Sequence, residues 1–322
     1  MKSIILGLFS SLFFSLSFIL NRQMSINGGS WIWSSSLRFL FMLPIFIIIV
    51  FYRGGLTPLL LSIKSKFIEW LIWSTIGFGV FYSTLCFAAN FGPGWLIASS
   101  WQITIVAGAL MSPLFFKTVF KNNKKYLIRE TIPKKNLIIS LIILIGVFLL
   151  QIDQVSKIGL RDTTFGILFV LIGAFAYPLG NRKMMALCAG SLDVYQRILG
   201  MIICSLPFWI LLIFFEYFRS GVPEKNQVYS SLIVAISSGV IATILFFKGT
   251  ELVKDDMKKL AIVEATQAGE VIFSLLGEII FLRELLPSLY SSIGILIVIL
   301  GLIIQSLFFN SSDNLEKKLI SD

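Results

Sequence analysis

Residues 194–215 read VYQRILGMIICSLPFWILLIFF, and Arg197 is the only charged side chain among them. A bilayer core about 30 Å thick is crossed by about 20 apolar residues of helix. A run this long and this apolar therefore places the chain in a membrane. Nine more runs of similar kind lie around it: Ser3–Leu20, Ile32–Tyr52, Glu69–Ala89, Trp95–Phe116, Asn136–Ile152, Thr163–Leu179, Tyr229–Lys248, Leu260–Phe281 and Leu289–Phe309. The whole chain of 322 residues is 57% hydrophobic and 14% charged, with a mean hydropathy of +0.89. Soluble domains carry about 25% charged residues. The expectation is an all-α integral membrane protein with ten transmembrane helices. Pro44, Pro178 and Pro207 fall inside runs, where a membrane helix tolerates them as kinks.

The first run could pass for a secretion signal. It is read as a span, because its basic region is a lone Lys2, no A-x-A site follows and nine runs come after it. Orientation follows from the loops. With the N-terminus in the cytoplasm, 19 of the 27 Lys and Arg residues fall on the cytoplasmic side and six outside, with Arg38 and Arg197 inside spans. Both termini are expected in the cytoplasm of a plasma-membrane protein. The net charge of +10 then reflects membrane topology rather than nucleic-acid binding, and the Lys117–Lys135 segment is a solvated basic loop against anionic headgroups.

The two halves echo each other. Asn21-Arg22-x-Met24 returns as Asn181-Arg182-x-Met184, Arg38-x-Leu40-x-Met42 as Arg197-x-Leu199-x-Met201, and Gly79-Val80 as Gly239-Val240, at offsets of 160, 159 and 160. Matches in one order at one offset indicate an internal repeat. Five spans per repeat is an odd number, so the second copy must be inverted in the membrane. The expected organisation is residues 1–152 as one five-helix repeat, 153–162 as a linker, 163–309 as the second repeat and 310–322 as a cytoplasmic tail. Such repeats belong to transporters, with the substrate near the midplane between them.

Chemistry-bearing residues are few. The ninth run holds Glu264, Gln267, Glu270, Ser274 and Glu278, which fall within an arc of roughly 120° at 100° per residue. Ile272, Leu276 and Ile279 lie opposite. Glu264 and Glu278 sit toward the ends, where solvent can reach them. Glu270 sits at mid-span, where a carboxylate costs on the order of 3 kcal/mol to insert and usually faces a cavity or a partner. Arg38 lies about two turns inside the second run, and Arg197 follows Asp193 at a spacing that allows an i,i+4 ion pair. Either arginine could snorkel to the surface. If Arg38 turns inward, a glutamate of the ninth run is its candidate partner. Trp101 and Gln102, beside Thr104, suit a cavity wall for an aromatic or cationic ligand, or interhelical packing. The substrate and proton site is thus expected at Glu270, Glu264, Gln267, Gln102, Trp101 and Arg38.

The chain has no histidine, which excludes His-dependent triads and His-ligated metal. Cys86, Cys188 and Cys204 form no CxxC pair and read as reduced packing residues. There is no phosphate-binding loop, so this chain alone does not run on ATP. No cofactor and no metal is expected.

Six stretches carry a resemblance: Leu85–Leu96 (LCFAANFGPGWL), Trp101–Ile105 (WQITI), Asn181–Met184 (NRKM), Gln196–Met201 (QRILGM), Gly239–Thr243 (GVIAT) and Val263–Glu270 (VEATQAGE). Across all ten runs the chain resembles the drug/metabolite transporter superfamily, in its ten-helix group of multidrug resistance efflux transporters. That resemblance implies two inverted five-helix bundles and small-molecule export by a secondary carrier. The family's small four-helix carriers use a glutamate in their first helix. The first run here has no acid, so that role does not carry over.

The reading is a proton-coupled efflux carrier for cationic or amphipathic drugs or metabolites, with Glu270 and Glu264 binding protons and substrate in exclusion. A second reading exports an amino acid, nucleoside or other metabolite, with Arg38 or Arg197 meeting an anionic group. A membrane-embedded enzyme or lipid-handling scaffold is a third, disfavoured by the missing histidines and metal-ligand clusters.

Overall fold

The computed structural model describes residues 2–121, 124–129, 131–132, 134–188, 191–252, 263 and 266–304. Its helices are α1 (Lys2–Ile26), α2 (Trp31–Tyr52), α3 (Leu56–Ser65), α4 (Phe67–Ala88), α5 (Gly94–Leu110), α6 (Lys134–Ile158), α7 (Leu160–Cys188), α8 (Val194–Ser220), α9 (Lys225–Phe246), α10 (Gly269–Gly277) and α11 (Leu289–Ile304). Seven helices are long and apolar enough to cross a membrane, and α5 and α11 are shorter apolar helices. The protein is a multi-pass membrane protein built of helices.

Several boundaries differ from the expected runs. The fourth run does not continue to Phe116. Its helix breaks at Gln102, resumes, and ends at Leu110. A 3₁₀ turn over Ser112–Leu114 contains Pro113, which cannot donate to a continuing helix. A two-stranded antiparallel hairpin follows, β1 (Phe116–Lys121) with β2 (Lys124–Arg129), where a plain loop was expected. Helices α6 and α7 extend into the expected linker and meet at Gly159, whose φ of 87° suits glycine. Helix α3 was not anticipated, because ten residues are too few for a span.

Wide π turns interrupt two helices, at Thr75–Val80 in α4 and Ala235–Ala242 in α9. They begin 160 residues apart. Such turns are rare and concentrate at functional sites.

Helix α1 shows how serine builds a membrane core. Ser10, Ser11 and Ser15 are fully buried. The hydroxyls of Ser11, Ser15 and Ser17 donate to the carbonyls of Leu8, Leu12 and Phe14 one turn back. Those groups are satisfied within the helix, and their small volume lets neighbouring backbones approach. Helix α1 packs on α9 and α10, α7 packs on α4 and α5, α2 on α8 and α9, α8 on α4, and α5 on α10.

Two apolar clusters result. One joins α1, α4, α5, α6, α7, α10 and α11 around Trp95, Ile143 and Val298. The other joins α2, α3, α4, α7, α8 and α9 around Phe46, Trp70 and Trp209. Phe81 packs against both, and the polar centre lies around it. Cys86, Cys188 and Cys204 are free and buried, in keeping with a packing role.

Candidate functional site

The residues after the π turn of α4 are Phe81 and Tyr82. Phe81 packs on Tyr177 of α7 and Trp101 of α5, at centroid distances of 4.7 and 5.0 Å. Trp101 meets Tyr177 edge to face at 5.5 Å. Tyr82 is almost fully buried, and its hydroxyl accepts from Asn21 Nδ2 of α1 at 3.1 Å. The Arg38 guanidinium of α2 lies 4.0 Å from the Tyr82 ring centroid, a cation–π contact.

Tyr177 marks the middle of the arrangement. It is 38% exposed. Glu270 of α10, Arg197 of α8 and Arg38 of α2 all lie within Coulombic range of its hydroxyl. Glu270 is 7% exposed, and its carboxylate accepts no hydrogen bond from a described residue. The structure thus brings Trp101 against Tyr177, with Arg38 and Glu270 acting on it electrostatically from further off.

The other expected residues fare differently. Gln102 is buried, but its amide donates to Ala98 O at 3.1 Å within its own helix, at the break in α5. Gln267 turns its amide toward Gly7 O and Thr266 Oγ1, both at 3.5 Å. Glu264 lies outside the described residues.

Three expectations are corrected. Arg197 makes no i,i+4 pair with Asp193. The Asp193 side chain accepts from Gln196 N as the cap of α8 and pairs with Arg53 at 2.9 Å, and Arg197 is half-buried. Of the ninth-run glutamates offered to Arg38, Glu270 and Glu278 form no ion pair with it, Glu264 lies outside the described residues, and the guanidinium meets the Phe39 and Tyr82 rings. Glu278 does not reach solvent. It is fully buried and accepts from Gly94 N at 2.6 Å and Trp95 N at 3.2 Å, holding the N-terminus of α5. The N-terminal peptide dipoles favour a carboxylate there.

Polar contacts also join helices at both ends of the bundle. At the Glu278 end, Arg22 Nη1 donates to Ala89 O at 3.1 Å and Arg22 lies 3.6 Å from Glu284. At the opposite end, Arg182 Nη1 donates to Gly108 O at 2.9 Å and Lys183 Nζ to Leu114 O at 3.2 Å. Sequence reasoning missed Tyr82, Tyr177 and Asn21. The available signal was a phenol in mid-span, whose hydroxyl needs a polar partner once buried.

Comparisons with known proteins agree with this architecture. A solved structure described as "Crystal structure of protein" shares the fold at a TM-score of 0.61, covering 95% of this chain and 96% of its own, at 13% identity. "Uncharacterized protein YjlA" of Bacillus subtilis (strain 168) is 51% identical over 306 residues, 95% of this chain and 94% of its own length. An uncharacterized 42.1 kDa protein of Shouchella clausii, encoded in the intracellular alkaline protease 3' region, is 43% identical over 270 residues, 84% of this chain and 70% of its own. Residues 1–311 match the family EmrE, described as "Putative multidrug resistance efflux transporter". With the match running through every described helix, the chain belongs to this EmrE-like efflux transporter family of the drug/metabolite transporter superfamily.

Proposed function

We propose that this protein is a secondary carrier that exports small molecules across the plasma membrane by alternating access. Ten spans form two inverted five-helix repeats, residues 1–152 and 163–309, with both termini and the 310–322 tail in the cytoplasm. The observation that carries this reading is the pattern of helix contacts. Exchange α1, α2, α4 and α5 for α7, α8, α9 and α10, and five of the main contacts map onto one another. The α1–α9 contact becomes α7–α4, α1–α10 becomes α7–α5, and α2–α9 becomes α8–α4, while α2–α8 and α5–α10 map onto themselves. The π turns share the 160-residue offset. A methionine also packs on a glycine of the partner π turn in each half, Met42 on Gly239 and Met201 on Gly77. Two such bundles can rock around a site held between them.

That site is the centre around Tyr177, with Glu270, Arg38 and Trp101 and with Gln267, Gln102 and Glu264 nearby in sequence. The coupling ion is a proton, carried by Glu270 with Glu264. Glu270 suits this role because its carboxylate is deep and unengaged by hydrogen bonds from described residues.

The test is a transport screen on the purified full chain in proteoliposomes, with and without a pH gradient. Accumulation driven by the gradient is expected for wild type. Glu270→Gln should insert and fold but lose gradient-driven transport. Normal proton-coupled transport by that variant would eliminate the mechanism.

A further inference from the structure

We propose that α5 is a hinged gate, jointed at Gln102. Its two arms are gripped separately by charged residues of the second half, Glu278 at its start and Arg182 with Lys183 at its end, and are released in turn as the carrier cycles; this rests on the carrier reading above. The joint lies in the backbone. Gln102 N bonds to Ser99 O and Ile105 N to Gln102 O, each at 3.2 Å and each three residues back instead of four. That tightening leaves Ala98 O without its usual donor, the amide N–H four residues on. The Gln102 side chain fills the place, donating Nε2 to Ala98 O at 3.1 Å. A mid-helix stretch of 3₁₀ bonding often marks a functional hinge. The arms lean on different neighbours. Gly94–Trp101 packs chiefly on α10 and α1, and Ile103–Leu110 on α7 and α6. In the second arm Thr104 Oγ1 donates to Ala174 O of α7 at 3.1 Å.

The grips match the helix ends. The start of α5 presents Gly94 N and Trp95 N, and Glu278 of α10 accepts from both, at 2.6 and 3.2 Å. The end presents carbonyls. Arg182 Nη1 of α7 donates to Gly108 O at 2.9 Å, and Lys183 Nζ to Leu114 O, just past the helix, at 3.2 Å. Peptide dipoles favour an anion at a helix N-terminus and cations at its C-terminus. Glu278, Arg182 and Lys183 belong to the second half and α5 to the first, so each grip crosses between the halves. Halves that rock must part at one end while they meet at the other. Polar grips suit this, because water takes the place of a lost partner once an end opens. The inter-half contacts at mid-helix, Met42 on Gly239 and Met201 on Gly77, are apolar and offer no such exchange. Trp101, beside the joint, packs on Phe81 and Tyr177 at 5.0 and 5.5 Å, so motion at Gln102 moves a wall of the proposed site.

The experiment is electron paramagnetic resonance on the full chain in lipid nanodiscs, in a background lacking Cys86, Cys188 and Cys204. One spin-label pair, Asn90→Cys with Leu285→Cys, reports the Glu278 end; a second, Leu114→Cys with Met185→Cys, reports the Arg182 end. All four positions are exposed. Arg182→Gln should lengthen the second distance, on the order of 5 Å in the released population, and leave the first as in wild type. Glu278→Gln should do the reverse. Gln102→Met keeps the side-chain length and removes the amide, so the joint straightens; combined with Arg182→Gln it should shift both distances together. Should Glu278→Gln fail to fold, Arg182→Gln and Lys183→Gln decide at the other end. Distances that ignore the grip substitutions overturn the gate. So does a single substitution that moves both ends while Gln102 is intact, and so does independence that survives Gln102→Met. The distances need no cargo, which separates the two readings. Independent release of the ends in a protein that transports nothing in the proteoliposome screen leaves the hinge and refutes the carrier. Transport by a protein whose ends move only together keeps the carrier and overturns the gate.

Discussion

Glu270 and Glu278 lie two turns apart on one helix face, and their surroundings set them different tasks. Glu278 is fully buried with both oxygens engaged by Gly94 N and Trp95 N. Glu278→Ala strands two buried N–H groups, each costing about 1–3 kcal/mol, so the loss is roughly 2–6 kcal/mol. Glu278→Gln keeps one acceptor oxygen, but its NH2 faces the other N–H and strands it, at about 1–3 kcal/mol. It gives up a charge–dipole attraction of about 0.3–2 kcal/mol, and the relief of burying no charge offsets much of that. The expected order of stability is therefore wild type, then Glu278→Gln with one N–H stranded, then Glu278→Ala with two. Thermal unfolding in detergent, followed by tryptophan fluorescence and by size exclusion, measures this; Trp95 is itself at the contact. Transport should follow the same split, with Glu278→Gln keeping most pH-gradient-driven activity while Glu270→Gln loses it. The reasoning is refuted if Glu278→Ala melts with wild type. It is equally refuted if Glu278→Gln folds normally and transports nothing.

Three further outcomes are expected. Tyr82→Phe removes the Asn21 contact and keeps the ring under Arg38, so it should cost about 1 kcal/mol in a thermal melt; a loss of several would mean the hydroxyl has another task. Gly180→Ala places a Cβ against the Cα and N of Gly77 and near Trp73 O, which cannot yield as side chains do. It should destabilise by about 1–3 kcal/mol or more, seen as lost monodisperse protein, and a stable variant would mean these helices are less closely packed. Single-cysteine variants, in a background lacking the three buried native cysteines, should label from the cytoplasmic face in the Lys117–Lys135 segment; labelling there from outside would reverse the topology.

The apolar runs and the loop charges made the membrane class and the family legible without coordinates, because a bilayer imposes length and polarity on every span. The repeat motifs were legible for a related reason: the same helix contacts, used twice, need the same glycines and methionines twice. Met42 against Gly239 shows what one such pair is for, while Gly79, the matching glycine of the first half, lies against Phe208. Glu270 was legible as a deep acid from its depth alone. Which neighbours a polar side chain meets was not legible, because that depends on helices far apart in sequence. Asp193 looked like a partner for Arg197 at helical spacing, yet the fold gave it to Arg53, 140 residues away. Glu278 looked like an end residue reaching solvent, yet the α4–α5 turn brought two backbone N–H groups to it across 183 and 184 residues. Tyr177 carried no motif, and only the packing of α4, α5 and α7 placed it against Phe81 and Trp101. Sequence by itself determined what each span is made of, since burial in lipid acts on every residue locally. The tertiary structure alone decided which polar groups share the interior, since a buried charge is governed by whatever the fold carries to within a few ångströms of it.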